Sequence, residues 1–147
     1  CKDVSIAGCL PPLVASYRPE VCLSFKDSLA TYRRLVELQS SASDLFICET
    51  MSSITEASAA CTAALESHKP VWVALTVIDD HPEQLRSDES LKDALQALDS
   101  FDIQATLLNC SQPEAISACW SLLSNADEHR IYARFFHKYT SIPQLLS

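Results

Sequence analysis

Two side chains with catalytic or metal-binding capacity lie at the ends of apolar stretches of the sequence. Glu49 follows the run at 44–48, and Cys110 ends the run at 102–110, shortly before Pro113. A carboxylate at the end of a strand can bind an amine or act as a general acid or base. A thiol near a helix start is favoured as the thiolate, which binds metals and attacks electrophiles. On position alone, Glu49 is equally explained as a solvated loop carboxylate or a helix N-terminal charge, and Cys110 is better explained as a packed cysteine.

Several other chemistries lack their motifs. The seven cysteines are irregularly spaced, with no CxxC pair, which argues against a zinc knuckle. The four histidines form no HExxH pattern, and no GxSxG elbow is present. Gly8 is the single glycine, so the sequence contains neither a GxGxxG loop nor a P-loop, both of which need several glycines close to phosphate.

Composition limits the class of partner. The 147 residues are 48% hydrophobic and 20% charged, which predicts one globular unit. A net charge of -8 argues against nucleic acid and anionic membranes as partners. No apolar run approaches the ~20 residues of a membrane-spanning helix. Cysteines in apolar surroundings predict a reducing, cytoplasmic compartment. Because the chain starts at Cys1 without methionine or signal peptide, we expect it to begin inside a longer protein.

The elements that position Glu49 and Cys110 alternate regularly along the chain. Compact apolar runs predict five strands, and apolar residues returning every three or four positions predict helices between them. The helix after the second strand has a capping box from Ser53 to Glu56, and Pro113 suits the first turn of the last helix, which includes Trp120 and Leu123. The predicted strands are at 4–7, 44–48, 71–78, 102–110 and 130–136, and 139–147 is predicted to be irregular.

The strand pattern predicts an α/β fold with a parallel sheet. The runs are continuously apolar, so both faces of the sheet are expected to be covered. Two arrangements satisfy this pattern: an open doubly wound sheet or part of a (β/α)₈ barrel. In both, active sites gather at the carboxyl ends of the strands, which is where Glu49 and Cys110 lie.

At these strand ends the chain resembles the homocysteine S-methyltransferase family. The matching motifs run in order over nearly the whole sequence and are similar to the third to seventh strands of that family's barrel. They are IAGCLPP at 6–12, DLFICET at 44–50, PVWVALT at 70–76, LRSDESL at 85–91, NCSQPE at 109–114, and YA at 132–133 with TSIP at 140–143. The sequence departs from the family at Asp88, where a glycine is usual.

The resemblance implies a zinc enzyme on a partial (β/α)₈ barrel, with about five parallel strands alternating with helices. Three cysteines hold the family's zinc: Cys110 matches one, and the other two belong to a Gly-Gly-Cys-Cys segment that this sequence does not contain. Zinc favours the thiolate of homocysteine. That thiolate accepts a methyl group from a small sulfonium or ammonium donor, giving methionine. Glu49 matches the residue that binds the homocysteine amino group. Asn109, directly before Cys110, is implied to be a second substrate-binding residue and to orient Cys110.

The resemblance further implies that residues 1–147 are a single segment of a homocysteine-binding barrel domain. Such a segment lacks the N-terminal strands and the C-terminal cysteine pair, so we expect activity in the complete protein and not in the segment alone. One alternative is a truncated or divergent member without catalysis, acting as a binding or assembly module. Another is an unrelated α/β domain, which predicts that Glu49 and Cys110 lie on different faces.

Overall fold

Five parallel strands form one sheet in the computed structural model, which describes residues 4–119, 121–122 and the backbone of 131–134. The strands hydrogen-bond in the order of the sequence, β1-β2-β3-β4-β5. Their bounds are Ala7–Leu10 for β1, Leu45–Met51 for β2, Val71–Leu75 for β3, Ala105–Leu108 for β4 and Ile131–Arg134 for β5.

This strand order decides between the two arrangements that the sequence left open. A doubly wound sheet reverses its strand order near the middle, where the chain crosses to the other side of the first strand. Here every new strand adds to the same edge, in parallel to its predecessor. Sequential parallel addition is the winding of a (β/α)₈ barrel, so the predicted partial barrel is confirmed.

Four α-helices between the strands have bounds within the described residues, and a serine caps the start of three of them. The hydroxyls of Ser24, Ser53 and Ser90 each accept a hydrogen bond from a backbone N–H three residues on, which satisfies a donor that the first helical turn leaves free. No helix in the described part of the chain is long and apolar enough to cross a bilayer. The helices are α1 Phe25–Gln39, α2 Ile54–Leu65, α3 Leu91–Leu98 and α4 Pro113–Ala118.

The two faces of the sheet carry different side chains. The larger core joins the sheet to the helices and includes the fully buried Tyr32, Phe46 and Leu75. A smaller cluster of Ala74, Ala105 and Leu107, with Trp72 packed against it, lies apart from that core. In β1, exposed and buried residues alternate, so the expectation that every strand is covered on both faces is wrong for this strand among the described residues.

The sequence misjudged where several strands begin and end. The first strand is Ala7–Leu10 instead of 4–7, because regular pairing with β2 begins only at Ala7. The third strand ends at Leu75, since Val77 instead forms an antiparallel bridge to Leu85 in the following loop. The fourth is limited to Ala105–Leu108. The predicted helical residues Trp120 and Leu123 and the segment 139–147 lie outside the described residues.

One helix carries a carboxyl group inside the protein. Glu56, in the first turn of α2, is 4% exposed, and its Oε2 atom has no hydrogen-bond partner in the described structure. Burial raises the pKa of this carboxyl above its ordinary value of 4.5, against the opposing effect of hydrogen bonds from backbone groups of Ser52 and Leu13. Ser53 caps this helix by accepting from the N–H of Glu56, which is one of the two hydrogen bonds of the predicted capping box.

We expect the free energy of unfolding to fall as pH rises above about 4.5, because the folded state keeps the Glu56 proton to a higher pH than the unfolded state. Glu56→Gln is expected to flatten this pH dependence. Urea unfolding at pH 4.5, 6 and 8 measures it. The matched control is Glu114→Gln, which changes an exposed glutamate in the first turn of α4. Parallel stability curves for the wild type and Glu56→Gln would contradict the prediction.

Candidate functional site

The carboxyl ends of β2 and β4 converge on Cys110. Its Sγ lies 3.4 Å from Oγ1 of Thr50, and Nδ2 of Asn109 donates to the same Oγ1 at 3.0 Å. Parallel strands meet with their carboxyl ends at one edge, which brings together residues about sixty positions apart. Thr50 therefore joins two residues that the sequence selected, although the sequence did not indicate Thr50 itself.

Asn109 has an unused acceptor at this edge. The residue is 9% exposed, and its Oδ1 atom has no hydrogen-bond partner among the described residues. A buried amide oxygen without a partner costs about 1–3 kcal/mol, so a donor from a bound molecule would be favoured there. Asn109 was predicted from its place beside Cys110, and its free oxygen is the structural feature that suits such a role.

Glu49 lies at the same edge and contacts β1. The thiol of Cys9 donates to Oε1 of Glu49 at 3.1 Å. Partial burial, the hydrogen bond to Glu49 and the negative charge of Glu49 together raise the pKa of Cys9 to about 12, so this thiol stays protonated at neutral pH. Cys9 was not among the predicted site residues. The available signal was its place beside Gly8 at the end of the first strand.

Backbone strain is concentrated around Cys110. Five non-glycine residues in the described chain have positive φ, the region that side chains normally avoid. Four of them lie toward the carboxyl edge of the sheet. Thr50 is inside β2, where its register with β3 shifts, Cys110 follows β4, and Tyr17 and Asp88 are in the loops after β1 and β3. Strained residues cluster where structure is held for function. At Asp88 the φ of 65° also explains why the resembling family has a glycine there.

A loop between β3 and α3 closes one side of the site. Ser87 donates its backbone N–H to the carbonyl of Ser52 at 3.1 Å, and the Glu89 carboxylate accepts from the N–H of Ile54 at 2.9 Å. These contacts fix the loop on the β2–α2 connection. Arg86 is thereby held beside Cys110, whose carbonyl accepts from Nη2 of Arg86 at 3.4 Å.

Tyr17 reaches Cys110 from the loop after β1. Partial burial raises the pKa of Tyr17 to about 12, and a hydrogen bond to Cys110 acts in the same direction. The guanidinium of Arg86 lies 5.0 Å from the centre of the Tyr17 ring, a distance typical of a cation–π contact. Neither Tyr17 nor Arg86 was selected from the sequence, because their loops come close to Cys110 only in the folded chain.

The donor set of the described residues matches only part of a three-cysteine zinc site. Cys110 supplies a thiol at the strand edge, but no three His, Cys, Asp or Glu side chains in the described chain are grouped to hold a metal ion. A tetrahedral zinc site needs three protein ligands even where one position is open. The described residues therefore do not complete a zinc site around Cys110, and its role as a zinc ligand stays a prediction.

Fold and site together define a class of protein: a chain wound like a (β/α)₈ barrel, with polar and strained residues at the carboxyl edge of its sheet. A family model described as homocysteine S-methyltransferase matches residues 1–141. The chain belongs to the homocysteine S-methyltransferase family. The alternative of an unrelated α/β domain is therefore wrong.

Solved structures agree with the fold. The homocysteine methyltransferase MmuM from Escherichia coli in its apo form has a TM-score of 0.77 at 21% identity, covering 92% of this chain and 50% of that one. The metallated form of MmuM has a TM-score of 0.79 at 22% identity, and the match covers 90% of this chain and 48% of MmuM. The chain thus spans about half the length of these structures. A comparison with curated protein sequences gives no match.

Proposed function

We propose that the full-length protein transfers a methyl group from a small sulfonium or ammonium donor to the sulfur of homocysteine, giving methionine. The observation that carries this proposal is the family match over residues 1–141. Its support from the structure is that Glu49, near the carboxyl end of β2, and Cys110, just after β4, lie at the same edge of one sheet, with β3 between their strands. The solved structures with this fold are homocysteine methyltransferases, which also points to homocysteine as the methyl acceptor.

Methyl transfer needs a sulfur nucleophile and a cationic donor in line. The acceptor sulfur loses its proton and forms a bond to the methyl carbon, while the bond from that carbon to the donor sulfur or nitrogen breaks and its electron pair stays with the donor. Zinc, when bound, stabilises the acceptor sulfur as a thiolate. In this proposal Cys110 is one of its three ligands, and the full-length protein must supply two more.

Glu49 is proposed to bind the ammonium group of homocysteine. Its carboxylate is half-buried and already accepts from the Cys9 thiol, so it can receive a further donor on its other lone pairs. A carboxylate–ammonium contact is charge-assisted, and it would orient homocysteine with its sulfur toward Cys110. The free Oδ1 of Asn109 is a second hydrogen-bond acceptor at the same edge of the sheet.

Glu49→Gln is expected to weaken homocysteine binding at least about tenfold, because a hydrogen bond to a charged group contributes about 1.5–3 kcal/mol. Isothermal titration of the full-length protein with homocysteine measures this change. Glu37→Gln, on the exposed face of α1, is the control and should bind as the wild type does. Unchanged affinity in Glu49→Gln would remove the proposed role of this residue.

A non-catalytic binding module is the second candidate, favoured by the incomplete zinc donor set of the described residues. The two functions differ in one measurement. Incubation of the full-length protein with homocysteine, zinc and S-methylmethionine should yield methionine if the protein is an enzyme. Homocysteine binding without methionine formation, for sulfonium and ammonium donors alike, would support the module instead.

A further inference from the structure

A cleft of about 400 Å³ opens beside Cys110 and belongs to none of the roles assigned above. Its size is that of a site for a small molecule. It lies between the loop after β1 and the loop after β3, and two residues with positive φ, Tyr17 and Asp88, are among those that line it. The residues that line it are Tyr17, Pro19, Glu20, Arg86, Ser87 and Asp88.

Arg86 is the cation of this cleft, and its side chain is 21% exposed. The Tyr17 ring, the carbonyl of Cys110 and the carboxylate of Asp79 hold its guanidinium in position. Asp79 is itself fixed, because its Oδ1 accepts from the N–H of Gln112 at 2.7 Å. The arginine is thus oriented before any molecule binds, which lowers the entropic cost of binding.

The polar contacts that hold Arg86 are long. Nε is 3.5 Å from Oγ1 of Thr76, Nη2 is 3.4 Å from the carbonyl of Cys110, and the gap to Asp79 is 3.6 Å. Charge-assisted N–H···O contacts are normally about 2.7–2.9 Å. A guanidinium has five N–H donors in a planar fork that matches a carboxylate. Arg86 therefore retains the capacity for a short, two-pronged contact with a carboxylate in the cleft.

The other charges of the cleft restrict the ligand further. Glu20 and Asp88 add two carboxylates to its lining, and Glu20 is paired with the exposed Arg18. Two negative groups near a single available guanidinium disfavour a dianion such as phosphate. They suit a ligand that carries one carboxylate together with a positive group, as an amino acid does.

We propose that Arg86 binds the carboxylate of an amino-acid substrate in this cleft. The identity of the amino acid rests on the proposed function: it is either homocysteine or an amino-acid sulfonium that donates the methyl group. Both present the same carboxylate chemistry to Arg86. A carboxylate held here would anchor the substrate near Cys110. Methyl transfer to sulfur is proposed to occur at that end of the site.

The test compares ligands with and without the carboxylate by isothermal titration of the full-length protein. The acids are homocysteine and S-methylmethionine, and their counterparts without the carboxylate are 3-aminopropanethiol and (3-aminopropyl)dimethylsulfonium. Arg86→Gln should weaken one acid at least about tenfold and leave its counterpart unchanged, with partial recovery in Arg86→Lys. If Arg86→Gln loses affinity for homocysteine, Arg86 binds the carboxylate of the methyl acceptor. If it loses affinity for S-methylmethionine, Arg86 binds the carboxylate of the methyl donor.

The control is Arg34→Gln, an exposed arginine on α1 that should alter none of these affinities. Three results would overturn the proposal: Arg86→Gln weakens binding of an acid and its counterpart equally, it weakens binding of neither, or the wild type binds neither acid. These outcomes are separate from a failure of the proposed function. That failure appears as a wild-type protein that forms no methionine, whatever Arg86→Gln does to binding.

Discussion

Replacing Cys110 with serine is expected to abolish stoichiometric zinc binding by the full-length protein and to lower methyl transfer to homocysteine more than about a hundredfold. Loss of a residue that merely supports a metal ligand commonly costs 10- to 100-fold in affinity or activity, and loss of a ligand itself should cost more. Serine has the shape of cysteine with a smaller terminal atom that still forms hydrogen bonds, so Thr50 and Tyr17 should stay in place around it. The expected loss is therefore chemical and not structural.

Metal analysis of the purified proteins by mass spectrometry gives the zinc content without relying on activity. Cys22→Ser is the matched control, since Cys22 is a partly buried thiol that follows the 3-10 turn Pro19–Val21. It should retain zinc at the wild-type level. Equal, stoichiometric zinc in the wild type and Cys110→Ser would show that Cys110 is not a ligand.

Gly8→Ala is expected to destabilise the fold by about 1–3 kcal/mol, the usual cost of forcing an extra methyl group into a packed core. A Cβ at Gly8 would lie 2.5 Å from Cε1 and 2.7 Å from Cδ1 of Phe46, and 2.8 Å from Oγ of Ser43. Phe46 is fully buried, so its ring cannot move without disturbing the core. For a chain of this size the loss should lower the melting temperature by roughly 2–10 °C.

A double-mutant cycle tests the stated cause. Phe46→Leu removes the ring carbons that the new methyl group would meet, so Gly8→Ala should cost less in that background than in the wild type. Chemical unfolding of the four proteins gives the coupling free energy, which we expect to exceed about 0.5 kcal/mol. Additive costs would show that Gly8 is required for some other reason than its approach to Phe46.

Local features of the fold were predictable from the sequence because their causes are local. Ser53 and Glu56 form the expected cap, and Pro113 opens α4 as its missing N–H allows. Strand ends were less predictable, since pairing partners decide them. Val77 continues the apolar run of β3, yet it leaves the sheet to pair with Leu85, which a linear pattern does not reveal.

The candidate site was predictable only in part. Glu49, Asn109 and Cys110 could be selected because each lies close to the end of an apolar run, and such runs are recognisable in sequence. Their roles remain proposals. Thr50, which contacts Cys110, was not selected, because contact across sixty residues depends on the strand register. Arg86 was missed for a similar reason: its loop is positioned by hydrogen bonds to the segment before α2.

The sequence by itself determined that this protein is an α/β chain of alternating strands and helices, with a carboxylate and a thiol close to the ends of two apolar runs, because apolar periodicity and helix caps are properties of neighbouring residues. Only the tertiary structure decided that the strands add in sequential order, that the Phe46 ring packs too close to Gly8 for a Cβ atom, and that Tyr17 and Arg86 border a cleft beside Cys110. Those features arise from contacts between distant segments, and such contacts exist only once the sheet has assembled.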